Sequence, residues 1–211
     1  MQKAKFLLLL FVLLTSTHLF VPGCSSVSSD VQAGRNARQT GRANDAVGYL
    51  AQAAAADPNY KIPYRVQVSV LTYLGRAYLE TGRDTEARPT LERAVKLDND
   101  DSLAHLYLGI AMLKTGEIER GRKEIEVGLR GIDDTLEYIQ ADLVSGFYWD
   151  PNMQIRNDIR KLSASKPDNG QLISESARIG AEFDEEIDKA RRDEGRGRGG
   201  GGGGAGGGGG S

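Results

Sequence analysis

The stretch Ser69 to Asp101, SVLTYLGRAYLETGRDTEARPTLERAVKLDNDD, decides the fold. Small residues at Gly75, Ala87 and Ala94 let two antiparallel helices approach closely, while Leu71, Leu74, Tyr78 and Leu91 fill the seam between them and with the next unit. Gly82 and Asp84 stop one helix and cap the next. The pattern recurs downstream at a spacing of 34: Leu74-Gly75 returns as Leu108-Gly109, Gly82 as Gly116, Leu91 as Ile125 and Ala94 as Gly128. It also has an upstream copy at a spacing of 41, in Gly34, Gly41, Ala46, Leu50, Ala53 and Asp57. Seven residues are therefore inserted, around Asn59 to Tyr64 and beside Pro58 and Pro63, where a longer turn or a longer following helix costs little.

With that period and those small-residue positions, the three copies resemble tetratricopeptide repeats. The resemblance implies an all-α solenoid of about three helix-turn-helix repeats over 30–134, followed by C-terminal capping helices over 135–194. The first copy, with Ala33 and Ala37 where larger residues are usual, suits a terminal repeat. In the third copy Gly121 and Gly128 replace Ala, and each glycine costs about 1 kcal/mol inside a helix, so that helix is expected to be the least stable. Pro89 is expected to kink the second helix of the middle copy.

The resemblance also implies a site. In the family the first helix of each repeat lines a concave groove, which places Val31, Arg35 and Arg38 there from the first copy. The second contributes Thr72, Arg76, Leu79 and Glu80, and the third Leu103, Leu106, Ile110, Leu113 and Lys114. Arginine heads at one end and an aliphatic strip at the other suit a peptide with acidic and apolar residues. As solvent-facing groups, Arg35, Arg38 and Arg76 are expected to tolerate reversal to Glu at less than about 0.5 kcal/mol each.

Beyond Asp133-Asp134, read as a helix start, Leu136, Ile139, Leu143 and Phe147 form one stripe. Asp150-Pro151 opens a further segment. The last helix, from about Gln171, puts Ile173, Ala177, Gly180, Phe183 and Ile187 on one side and Glu182, Glu185, Glu186 and Asp188 mainly on the other. This region reads as a cap over the final repeat. Phe147, Tyr148 and Trp149 form the densest aromatic cluster, suited either to packing on the third repeat or to anchoring a partner.

At the N-terminus, Lys3 and Lys5 precede an apolar run from Phe6 to Leu14, the layout of a secretory signal peptide over 1–23. That run is far short of the roughly 20 residues needed to span a bilayer. Val21-Pro22-Gly23-Cys24 then resembles the lipobox of bacterial lipoproteins. This second resemblance implies acylation of Cys24, a Ser-rich tether over 24–29, and residence on the periplasmic face of a Gram-negative outer membrane, since Ser25 follows the cysteine. Thirteen of the 27 glycines lie between Gly195 and Gly210, so 195–211 is expected to be disordered.

Charge and composition narrow the function. The formal charge is −2, and without Lys3 and Lys5 the balance is 25 Lys+Arg against 29 Asp+Glu, or −4, which argues against a nucleic-acid partner. One cysteine and two histidines leave no disulfide framework and no ordinary zinc site. His105 is expected to be a packing residue. No serine elbow or phosphate-cradling loop occurs, so the expectation is a non-catalytic scaffold without cofactor, metal or small-molecule substrate, serving a protein partner in the envelope. A spacer lipoprotein that tethers the cell wall is the alternative.

Overall fold

The computed structural model describes residues 26–141 and 149–199. Among them are eight helices: α1 (Val27–Gln39), α2 (Ala43–Ala56), α3 (Val70–Glu80), α4 (Asp84–Leu97), α5 (Ser102–Lys114), α6 (Ile118–Ala141), α7 (Gln154–Ala164) and α8 (Asn169–Gly199). No strand occurs among the described residues, only an isolated antiparallel bridge between Lys61 and Ser69. The fold is all-α, with three helix pairs stacked in sequence order and two further helices closing the array.

Each pair turns by the same device. Gly41, Gly82 and Gly116 have φ of +74°, +71° and +92°, the left-handed region that glycine enters without a Cβ penalty. The amide after each glycine reaches back to the fifth carbonyl before it, Arg42 to Ala37 at 2.8 Å, Arg83 to Tyr78 at 2.8 Å and Glu117 to Met112 at 2.9 Å, which is the Schellman closure. Thr40, Thr81 and Thr115 precede the glycines, and each hydroxyl donates to the carbonyls of the last turn. Asp84 does not cap α4 as expected. The cap position is Arg83, with no side-chain bond, and Asp84 sits in the first turn, where its charge suits the helix dipole and Lys114 meets it at 2.6 Å. The side-chain caps are Ser26, Ser69 and Asp101, at the starts of α1, α3 and α5.

Leu50, Leu91 and Ile125 occupy equivalent seats in the three pairs and are buried. The first two sit against Gly34 and Gly75. The seven-residue insertion is a packed loop rather than a longer helix, with Ile62 and Val68 buried and Lys61 paired to Asp98 at 2.7 Å. α4 continues unbroken through Pro89, and the Thr90 hydroxyl donates to the Glu86 carbonyl there.

The glycines of the third pair are part of its packing. A Cβ on Gly128 would lie 2.5 Å from the Leu106 amide nitrogen and 2.7 Å from Leu106 Cα, and one on Gly121 would lie 2.9 Å from the Gly109 carbonyl oxygen. The cost of glycine inside α6 is thus offset by a backbone approach that alanine forbids. Gly128→Ala should therefore destabilise by about 1 to 3 kcal/mol, although helix propensity alone predicts a gain of about 1. Urea unfolding monitored by circular dichroism distinguishes the two signs.

α6 also corrects a boundary. It runs to Ala141 straight through Asp133-Asp134, because Leu129, Ile132, Leu136 and Ile139 form one buried stripe across that point. Asp134 faces solvent on its far side, so the aspartates mark no helix start. The final helix reaches Gly199, past residue 195. Residues 200–211, the leader with Cys24, and Phe147 with Tyr148 lie outside the described residues.

Candidate functional site

The first helices of the three pairs, α1, α3 and α5, bring their side chains to one concave face, and that face is filled by the chain's own α8. The C-terminal helices do close the array, but α8 closes it from inside the groove. It enters beside the third pair, where a Cβ on Gly180 would meet Leu106 Cδ2 and the Tyr107 hydroxyl at 2.8 Å, and reaches the first pair with Asp184 and Asp188. α7 packs on α6 and α8 from the other side.

Arg35, Arg38 and Arg76 are consequently not solvent-facing. Arg35 Nη2 lies 2.6 Å from Asp188 Oδ1 and 3.3 Å from Asp184 Oδ1, with its side chain 2% exposed. Arg76 Nη1 meets Asp184 Oδ2 at 3.0 Å and Arg38 Nη1 meets it at 3.4 Å. Glu80, at the rim, accepts from Arg38 Nε and Arg76 Nε, both at 2.9 Å. The Tyr73 hydroxyl donates to Asp184 Oδ1 at 3.0 Å, and Gln39 Nε2 to Asp188 Oδ2 at 2.9 Å. Three guanidiniums face three carboxylates.

The tyrosines are placed by the repeat. Arg35 lies 4.9 Å over the Tyr73 ring and Arg76 lies 5.1 Å over the Tyr107 ring, so the arginine of one pair stacks on the tyrosine of the next. In the third pair Ile110 stands where Arg35 and Arg76 stand in the others, and the polar ladder ends there. Burial would raise the Asp184 carboxyl, but Arg76, Arg35, Arg38 and the Tyr73 hydroxyl outweigh it and hold the group below the ordinary aspartate value. Burial, beside the Asp184 charge, pushes the Tyr73 phenol well up. Burial, helped by the Asp184 and Glu80 charges and opposed by Arg76 and Arg38, lifts Tyr107 to about 12.

The depressed Asp184 value sets a pH dependence. Ionised Asp184 contributes stability in full above its unfolded value of about 3.9, and the contribution is lost as pH falls through the lower folded value. Asp101 has the opposite sign: burial raises it despite bonds from Thr72, the Ala104 amide and the Ser69 amide. Asp184→Asn should therefore flatten the loss of stability below about pH 4, read as the urea midpoint between pH 7 and pH 3. An unchanged slope would show that Asp184 is not paired.

The remaining predicted residues fall as follows. Thr72 is buried and its hydroxyl donates to Asp101 Oδ2 at 2.6 Å, so it ties the second pair to the third rather than facing a ligand. Leu79 is half-buried, while Leu106, Ile110 and Leu113 are buried. Leu106 is covered by Gly128 and Gly180, and Leu113 meets Gly121. Trp149 is no exposed anchor: it is 2% exposed and stacks on Tyr64 of the inserted loop, ring centroids 6.4 Å apart. The Asp150 carboxylate beside it accepts from the Ile155 amide and from Arg156 Nε, both at 3.0 Å, and Glu186 of α8 accepts the Asp150 amide at 3.2 Å. His105 is buried, with its ring nitrogens 2.7 Å from Glu124 Oε2 and 3.0 Å from the Asn99 carbonyl. Among the described residues no group of three His, Cys, Asp or Glu is placed to hold a metal, and no helix is long and apolar enough to cross a membrane.

Tyr73, Tyr107, Asp184 and Asp188 escaped the sequence reading. The 34-residue spacing of the tyrosines, and the four-residue spacing of the aspartates, were the available signals.

One comparison with known proteins agrees with the repeat architecture. A family model described as tetratricopeptide repeat matches residues 37–105, about a third of the chain. That stretch thus carries tetratricopeptide repeats. Among solved structures, a candidate protein binding protein from Bacteroides ovatus is similar at 15% identity, covering 82% of this chain and 99% of that one. Its TM-score of 0.27 is too low to bear on fold or function. No curated protein matches the sequence.

Proposed function

We propose that the chain is a non-catalytic, protein-binding adaptor, held by acyl chains on Cys24 at the periplasmic face of a Gram-negative outer membrane and serving an envelope assembly. The observation that carries the protein-binding part is the tetratricopeptide array itself, a scaffold of stacked helix pairs with a continuous concave face. The anchor rests on Val21-Pro22-Gly23-Cys24 behind a basic and apolar leader. One acyl chain holds a protein at a membrane only marginally and two or more hold it stably, so the lipobox pattern suits permanent attachment.

A second reading has an observation in its favour. Because α8 fills the groove, the helices also suit a spacer lipoprotein that separates the membrane from the cell wall. Metabolic palmitate labelling of wild type and Cys24→Ala tests the anchor: label is expected in the first and none in the second. A pull-down from detergent-solubilised envelope decides between the two readings. A stoichiometric protein partner supports the adaptor, and only peptidoglycan supports the spacer.

A further inference from the structure

We infer that the concave face is a receptor for a partner helix carrying two carboxylates one turn apart behind a small residue, and that α8 is the resident occupant such a helix displaces. The inference rests on the reading of the array as a protein-binding module and names the chemistry of what it binds.

The groove has the parts of a receptor for such a helix. Arg35 and Arg76 are stacked on Tyr73 and Tyr107, which fixes their planes before any carboxylate arrives. Arg38 adds a third guanidinium and Tyr73 a neutral hydroxyl donor, so one carboxylate, now that of Asp184, takes four donors. A second carboxylate four residues on, now that of Asp188, takes Arg35 and Gln39. One turn before the first, a Cβ at Gly180 would meet the ends of the Leu106 and Tyr107 side chains at 2.8 Å, so a larger residue there forces them to shift. Glycine, an aspartate four residues later and another after four more make a recognition pattern with a spatial reason for each member.

α8 meets this pattern imperfectly. Arg35 Nε, the Tyr107 hydroxyl and Ser176 Oγ are buried at or beside its docking face and find no hydrogen-bond partner among the described residues. Buried groups left unpaired weaken an interface, so a helix that offers an acceptor to Arg35 Nε or Tyr107 binds the same seat better. The helix end adds to this. Gly195, Gly197 and Gly199 stand in its last turns, where glycine opposes helix formation. The short Ser165–Asp168 segment joins it to α7 at one end, and release of the other end needs no break in the three pairs.

Two measurements on the full chain test this. In the first, hydrogen exchange of the wild-type protein is followed with and without an excess of a synthetic peptide of residues Leu172–Arg192, used as the probe helix. Amides of α8 are expected to exchange at least tenfold faster than those of α3 to α5, and faster again with peptide, while the three pairs keep their protection. Exchange of α8 at the rate of α3 to α5 would overturn the proposal, because α8 would then open only with the whole fold. In the second, the labelled peptide is titrated by fluorescence anisotropy onto wild type and onto Asp184→Asn/Asp188→Asn. Binding at least tenfold tighter to the variant, and lost when the peptide itself carries both Asn substitutions, is the expected result. Equal binding of the Asp and Asn peptides would overturn it. Peptide binding with no partner in the envelope pull-down would remove the adaptor reading and leave the receptor intact. A captured partner with no peptide binding would do the reverse.

Discussion

Arg35→Glu should cost about 3 to 5 kcal/mol, ten times what a surface reversal costs. The guanidinium lies between Asp184 and Asp188 under a side chain 2% exposed, and it is stacked on Tyr73. Reversal sets a third carboxylate against two that each lose one cationic partner, in a place where water cannot screen them. The protein has one way to avoid that, which is to release α8, so the loss is limited to the docking free energy of that helix. Urea unfolding should show an earlier midpoint or a separate early transition. Arg42→Glu provides the control, because Arg42 and Asp45 are both more than half exposed and such a pair contributes little. If both reversals leave the midpoint within the scatter of wild type, α8 does not occupy the groove in solution.

Trp149→Ala should cost about 3 to 5 kcal/mol as well, for a different reason. The indole is among the largest fully enclosed side chains, and it seats the Trp149-Asp150 turn on Tyr64. That turn holds Asp150 at φ +43° and Met153 at φ +54°, conformations that non-glycine residues adopt only where the surroundings impose them. Removing the ring leaves a cavity and frees the turn from the inserted loop. The same substitution at an exposed binding anchor would leave stability unchanged and weaken partner capture. Thermal unfolding of the variant separates these outcomes, with a fall of several degrees expected for a domain of this size.

The first prediction reverses an expectation drawn from the sequence, while the second decides between two that it left open, and both have one source. The repeat register assigned Arg35, Arg38 and Arg76 to the first helices of their pairs, and there they lie. Which side of a helix faces water is a different matter, settled by what else packs there. The carboxylates of α8 looked like a solvated face because acidic residues usually are one, and only Ile173, Ala177, Gly180, Phe183 and Ile187 were legible as an apolar stripe. In the fold the stripe is wider: Ser176, Ile179, Phe183, Asp184, Ile187 and Asp188 are all buried, because α8 is covered by the array on one side and by α7 on the other. A buried aspartate carries no mark in sequence that distinguishes it from an exposed one. Its partners lie about 110 to 150 residues away along the chain.

The sequence by itself determined the all-helical class, the number of helix pairs, the turn glycines and the small residues at each seam, because these depend on contacts that recur every 34 residues and are repeated in the text of the chain. The tyrosines that pair one repeat with the next recur at that period, Tyr73 to Tyr107, whereas Arg35 and Arg76 keep the longer spacing of 41. Tertiary structure alone decided that the groove is filled, that Gly121 and Gly128 serve close approach, and that α6 runs on through Asp133-Asp134. Each of these rests on a contact made once, between segments that share no periodicity. A single long-range contact leaves no repeated signal from which it could be read.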